Sequence, residues 1–164
     1  MFLMLKPLFM QEITRLPLDE SIDLSDIDFQ GIYPFSRPVR VTGEIRSLAE
    51  VVSMHAVATV VFSGVCDRCA EPFERTLTIP MEHILVTSLG NADNDELLLV
   101  ENFRLDLTTL TVSDVLLALP SKQLCRQDCK GLCPQCGKNL NEGLCGCRVE
   151  SGDPRLAVLK QLLE

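Results

Sequence analysis

The stretch Val51-Val-Ser-Met-His-Ala-Val-Ala-Thr-Val-Val-Phe-Ser-Gly-Val65 alternates with period two. Val52, Met54, Ala56, Ala58, Val60 and Phe62 share one parity; Ser53, His55, Thr59 and Ser63 stand on the other, among valines. Successive side chains of a strand point to opposite faces, so this parity marks a long strand buried on one side. The pattern returns in Phe73–Val86, where Phe73, Leu77, Ile79, Met81 and Leu85 oppose Glu74, Thr76, Thr78 and Glu82. Between the two runs, Cys66-Asp-Arg-Cys69-Ala-Glu-Pro reads as the tip of a long antiparallel hairpin. Pro80 cannot donate to a ladder, which puts its strand at an edge or a bulge.

Working outward, the strand reading extends back to Val39. Residues 1–38 are punctuated by Pro7, Pro17, Pro34 and Pro38, and predict short extended pieces with an acidic loop. Gly90–Glu96 reads as a polar loop, and Leu97–Leu107 as one or two short strands. Thr108–Leu119 reads as a helix, with Thr111-Val-Ser-Asp114 as a capping box, Val112, Val115, Leu116 and Leu119 on one face, and Pro120 as its stop. Asp153 and Pro154 open a short terminal helix with Leu156, Leu159 and Leu163 along one side. The expected fold is α+β: an antiparallel, barrel-like or bent sheet with one or two helices and a cysteine-rich C-terminal segment. Three parts are expected: 1–38, packed on the main body; 39–120, sheet plus helix; and 121–164, the cysteine-rich segment and last helix.

Apolar residues make up 46% and charged residues 23% of the 164, so the chain can bury a core. With no Trp and one Tyr, that core is aliphatic, and Phe residues are its largest pieces. The net charge is −8, which opposes non-specific binding to nucleic acid. The charge is uneven. Gln11–Gln30 carries one base, Arg15, against six acids, while Ser121–Arg148 carries five bases against Asp128 and Glu142. Neither a secretory leader nor a membrane-length apolar run stands out, so a cytoplasmic, reducing setting is expected.

Eight cysteines then need a purpose other than disulfides. Cys133-Pro-Gln-Cys136-Gly137 has the spacing of a metal knuckle, with a glycine for the backbone turn that follows; Cys145-Gly-Cys147 completes four soft ligands. Cys66 and Cys69 have the same spacing. Cys125 and Cys129 are i,i+4, and one helical turn would align their thiols. Two zinc sites are expected: Cys133, Cys136, Cys145 and Cys147, and Cys66, Cys69, Cys125 and Cys129. A partition joining Cys66 and Cys69 to Cys133 and Cys136 is also open. The loop Cys133–Cys147 has little apolar content, so metal binding is its main source of folding energy, and Cys136→Ser should unfold that loop and leave the sheet folded. An iron–sulfur cluster would also take four thiolates, but the ferredoxin spacing is absent. A thioredoxin-like role for Cys66 and Cys69 needs a helix after them, and a strand follows instead.

Little else suggests catalysis. His83 is in phase with Ile79, Met81 and Leu85, at the edge of the core; His55 lies with Ser53 and Thr59 toward solvent. No phosphate loop, dinucleotide fingerprint or His–Glu metalloprotease motif occurs. The acids from Asp19 to Asp28 lack calcium-loop spacing. Lys122, Arg126, Lys130 and Lys138 either offset thiolate charge or present a small positive face to RNA phosphate.

Four stretches together resemble one family: Cys66-Asp-Arg-Cys-Ala-Glu-Pro-Phe73 after a long strand, Leu116-Leu-Ala-Leu-Pro120 closing a helix, Cys129-Lys-Gly-Leu-Cys-Pro-Gln-Cys-Gly-Lys-Asn-Leu-Asn141, and Asp153-Pro-Arg-Leu-Ala-Val-Leu159. From about Arg37 onward the chain looks like the YceD family, the large ribosomal RNA subunit accumulation proteins. The resemblance implies a bacterial or plastid protein needed for normal levels of large-subunit ribosomal RNA, and supplies no catalytic residue. The expected function is a non-catalytic ribosome-biogenesis factor that binds precursor RNA, a ribosomal protein or an assembly factor, with no membrane or small-molecule partner. A zinc-stabilised protein adaptor is the alternative, and a thiol redox enzyme the third reading.

Overall fold

A computed structural model describes residues 1–88 and 97–147. The elements run β1 (Phe2–Met4), α1 (Lys6–Phe9), β2 (Arg15–Ile22), β3 (Val39–Leu48), β4 (Val51–Val65), β5 (Pro72–Val86), β6 (Leu97–Leu99), β7 (Arg104–Asp106) and α2 (Leu107–Ala118). The main sheet has the order β2-β3-β4-β5-β6 and curls into a half-barrel; β1 and β7 form a small second sheet. All pairings are antiparallel except that of β5 with β6. The protein is α+β, as its sequence periodicity requires.

The parity of β4 decides which face is inside. Val52, Met54, Ala56, Ala58, Val60 and Phe62 are all buried. They meet Val41 and Ile45 of β3, Ile79, Met81 and Leu85 of β5, and Leu107, Leu110 and Val115 of α2 in one core. Phe35 and Phe62 are the largest fully buried side chains, and the Phe62 ring meets those of Phe29, Phe35 and Phe73. The curl needs a small residue at Gly43. A Cβ there would collide with the His55 carbonyl and with Ala56 across the ladder. Beside Pro80 itself no strand among the described residues lies on the outer side of β5, because β6 pairs only with Ile84–Val86. The missing N–H therefore costs no ladder bond.

Two expectations change. The acidic stretch is not all loop, since Asp19 and Glu20 lie in β2, paired with Thr42 and Val41. Leu16, Leu18 and Ile22 give β2 its own period-two face, which Pro17 masks in the sequence. The cap of α2 is Asp106, whose Oδ1 accepts the N–H groups of Thr108 (3.1 Å) and Thr109 (3.3 Å). Thr111 is instead buried within the helix, and Asp114 faces His83. Asp106 wins because it holds the extended backbone between β7 and the helix, where a cap must sit. The expected polar loop Gly90–Glu96 and the terminal helix opened by Asp153 lie outside the described residues.

Candidate metal centres

β4 and β5 run together to the pair Val65–Pro72, and the tip beyond them, Cys66–Glu71, folds into a knuckle. The Cys66 N–H donates to the Glu71 carbonyl, and the Ala70 N–H donates to the Cys66 carbonyl, each at 2.9 Å. Cys66 Sγ accepts the backbone N–H groups of Arg68 and Cys69. The same bonds recur at Cys133. Its N–H donates to the Lys138 carbonyl (2.8 Å), its carbonyl accepts from Gly137 (2.9 Å), and its sulfur accepts from Gln135 and Cys136. The residue after each second cysteine is left-handed: Ala70 has φ 58° and Gly137 has φ 71°. Glycine adopts that conformation freely and alanine does not, so Ala70 is held there by the knuckle.

Each knuckle faces two more thiols. The sulfurs of Cys66, Cys69, Cys125 and Cys129 lie within 4.8 Å of one another, as do those of Cys133, Cys136, Cys145 and Cys147. The chain adopts this grouping, and not the one joining Cys66 and Cys69 to Cys133 and Cys136. Cys125 and Cys129 converge through a turn over residues 126–129, with the Cys129 N–H on the Arg126 carbonyl at 3.2 Å, and not through the α-helical turn expected from their spacing. The segment has too few apolar residues to hold a helix against the sheet.

The sulfur separations test what could sit between them. Cys66 and Cys129 are 3.8 Å apart, and Cys69 and Cys125 are 3.7 Å apart. Disulfide sulfurs would stand at ~2.05 Å. A single tetrahedral ion with four sulfurs at ~2.3 Å spaces them by ~3.8 Å. A multi-iron cluster spreads its cysteines over several irons and holds them farther apart. The donor sets thus fit one metal ion each. Their acidity points the same way. Burial pushes the Cys66 thiol up, but the N–H groups of Cys125, Arg68 and Cys69 outweigh it and bring the thiol down to about 6. Burial and the three neighbouring thiols push Cys125 up to about 12. In the second set, N–H groups of Cys136 and Gln135 lower Cys133 to about 6, while Cys136, burial and Cys145 raise Cys147 to about 12. Four thiolates cannot crowd together unless a cation offsets their charge.

The first tetrad lies between the hairpin tip and the tail, and polar groups that no motif announced clamp the two together. The Asp67 N–H donates to the Gln123 carbonyl (2.8 Å), and the Gln123 N–H donates to Asp67 Oδ2 (2.6 Å). Gln123 is buried; its Oε1 accepts from Arg75, and its Nε2 donates to the Pro120 carbonyl. Arg68 donates to the Cys129 carbonyl, and its own carbonyl accepts from Leu132. Gly131 packs so closely on the Arg68 carbonyl that a Cβ would stand 2.9 Å from it.

The four basic candidates are all exposed on this tail. Lys138 Nζ donates to the Leu144 carbonyl (3.3 Å), and Arg126 pairs with Asp128 (3.6 Å). The Lys122 and Lys130 side chains have no partner among the described residues. Away from the cysteines, His83 Nε2 lies 2.7 Å from Asp114 Oδ2 beside a cleft of about 490 Å³ lined by Pro80, Glu82 and Leu117. Among the described residues no serine, threonine or cysteine lines that cleft. His55 is exposed on the outer sheet face between Glu44 and Glu82.

The profile of the family described as large ribosomal RNA subunit accumulation protein YceD matches residues 52–163. The chain belongs to the YceD family. The YceD match begins in β4 and takes in both knuckles, α2 and all eight cysteines, leaving β1, β2 and β3 outside. Uncharacterized proteins of Mycobacterium bovis and of two strains of Mycobacterium tuberculosis are 32% identical over 123 residues, which is 73% of this chain. The chain spans 59% of the length of these relatives. No solved structure matches it. Among the described residues no helix is long and apolar enough to cross a membrane.

Proposed function

We propose that this chain is a non-catalytic ribosome-biogenesis factor of the cytoplasm that supports accumulation of large-subunit ribosomal RNA and carries two structural zinc ions. The observation that carries the reading is the pair of four-sulfur sets within the YceD match. One set bridges the hairpin tip of a rigid sheet to a tail of positive balance. Zinc suits both, because four thiolates in closed tetrahedral array are its structural form. Such an ion would let all four thiols of a set ionise. Cys66, Cys69, Cys125 and Cys129 would hold one, and Cys133, Cys136, Cys145 and Cys147 the other.

In this reading the zinc-fastened tail is what precursor RNA meets. Lys122 and Lys130 offer free ammonium groups to phosphate, with Arg126 and Lys138 beside them, while the acidic β2 and the loop after it are kept from the RNA or face a basic ribosomal protein. The body of the chain is acidic, so binding is local and salt-sensitive. Replacing Lys122, Arg126, Lys130 and Lys138 by Gln should weaken binding to large-subunit RNA fragments. It should also flatten the dependence on salt by about one unit of slope per lost contact. Unchanged affinity with zinc intact would favour the adaptor reading, in which the tail meets protein. Exposed Leu132 and Leu144, at 40% and 85%, are the feature that supports that second reading. It predicts salt-insensitive capture of a ribosomal protein. A thiol redox role is disfavoured by the burial of Cys66, Cys69 and Cys129 and by the strand that follows the first knuckle.

A further inference from the structure

The two tetrads are not independent neighbours. Asn141 lies between Cys136 and Cys145, in the loop that the second tetrad closes. Its Nδ2 nevertheless donates to the sulfur of Cys129, a member of the first tetrad, at 3.3 Å. Its Oδ1 accepts the Lys130 N–H at 2.8 Å. Asn139 holds Asn141 in place by accepting its N–H at 3.0 Å. Around this contact, Leu132 bridges to Asn139, and the Leu140 N–H donates to the Gly131 carbonyl at 2.9 Å. The loop between Cys136 and Cys145 is thus laid against residues 129–132, the stretch that joins the last cysteine of one tetrad to the first of the other. Little apolar packing holds it there, since Leu144 is 85% exposed, Leu132 40%, and Leu140 only half-buried. Cys136 and Cys145, at its two ends, both belong to the second tetrad, whose closure would fix them together.

We propose that Asn141 couples the two centres: the loop closed by the second ion delivers the N–H that completes the surroundings of Cys129 at the first, so the two ions load cooperatively. This rests on the two-metal reading above. A hydrogen bond to a ligand atom fixes its orientation and eases its negative charge, and losing such an outer partner typically lowers metal affinity ~10–100-fold. Coupling is reciprocal, so whatever the first ion gains from the ordered loop, the second gains from the first. Cys136→Ser should therefore reach beyond the loop that it unfolds. It should weaken the Cys66–Cys129 tetrad as well.

The test uses the full chain, stripped of metal, kept reduced and titrated with zinc under native mass spectrometry. The wild type should pass from no ion to two with little singly loaded protein. In Asn141→Asp the acceptor for the Lys130 N–H remains, but an oxygen replaces the donor to Cys129. Singly loaded protein should then predominate at one equivalent. Cys147→Ser, which disables the second tetrad with Asn141 still present, should lower the affinity of the remaining site by a similar factor, read from its cobalt–thiolate spectrum even if the loop unfolds. Statistical loading of the wild type, or an unchanged distribution in Asn141→Asp, would overturn the coupling while leaving two metals in place. Failure to bind zinc at all would overturn the metal reading and the coupling with it.

Discussion

Ala70→Gly should make the protein more stable and its first metal site tighter. Ala70 holds φ 58° because the knuckle needs its N–H on the Cys66 carbonyl, 2.9 Å away. A left-handed conformation costs a residue with a Cβ ~1–2 kcal/mol. Glycine removes that cost but loses ~0.4–1 kcal/mol through its freer unfolded chain. The Ala70 side chain is exposed, so no packing is lost. The net gain is about 0.5–1 kcal/mol, which raises the midpoint of thermal unfolding by ~1–4 °C for a chain of this size. Metal affinity at the first tetrad should rise by a factor of about two to five, because an RT ln K of that size is gained when the knuckle is ordered by its ion. Thermal unfolding of the loaded protein and competition against a chelator read the two effects. A fall in both would refute the shared knuckle geometry. The reverse change at the second knuckle, Gly137→Ala, should lower the stability and the affinity of the second site.

Other outcomes follow from the same reasoning. The two-residue turn Ala49-Glu50 has φ 49° and 65°, so replacing it with Asn-Gly should stabilise the β3–β4 hairpin by ~1 kcal/mol in urea denaturation. Gly43→Val should destabilise by ~1–3 kcal/mol or more, since its side chain would meet the β4 backbone, and circular dichroism melting would report it. For metal-free, reduced protein the thiols set opposed pH arms. Cys66 and Cys133, held down at about 6, contribute stability above the ordinary thiol value of 9.0 that is lost as pH falls through about 6. Cys125 and Cys147, pushed up to about 12, contribute stability below 9.0 that is lost as pH rises toward about 12. Their combined contribution peaks near 9.0, and zinc should flatten the alkaline arm, a difference visible in urea midpoints measured with and without metal.

The fold was largely legible because one signal dominated it. The parity of Val52 through Phe62 and of Ile79 through Leu85 placed both long strands and their buried face, and the Cys66–Cys69 spacing placed the tip between them. β2 was hidden because its alternation is short and crossed by Pro17 and the acids on its exposed side. The cap at Asp106 was missed because the pattern Thr111–Asp114 also reads as a cap, and only the turn out of β7 tells the two apart. At the site, spacing identified the two knuckles, but the mates of each were set by a tertiary approach that spacing does not encode. Gln123, Asp67, Arg68 and Asn141 carried no signal at all. Their work consists of single hydrogen bonds across the junction between tip and tail, and a polar residue in a loop looks the same in sequence whether or not it makes one.

The most direct test of the account is X-ray absorption at the zinc edge, paired with metal analysis, on protein purified without oxidation. Two zinc ions per chain are expected, each with four sulfurs at ~2.3 Å and no nitrogen or oxygen in the coordination shell. One ion per chain, iron in place of zinc, or a shell of mixed sulfur and lighter atoms would contradict it.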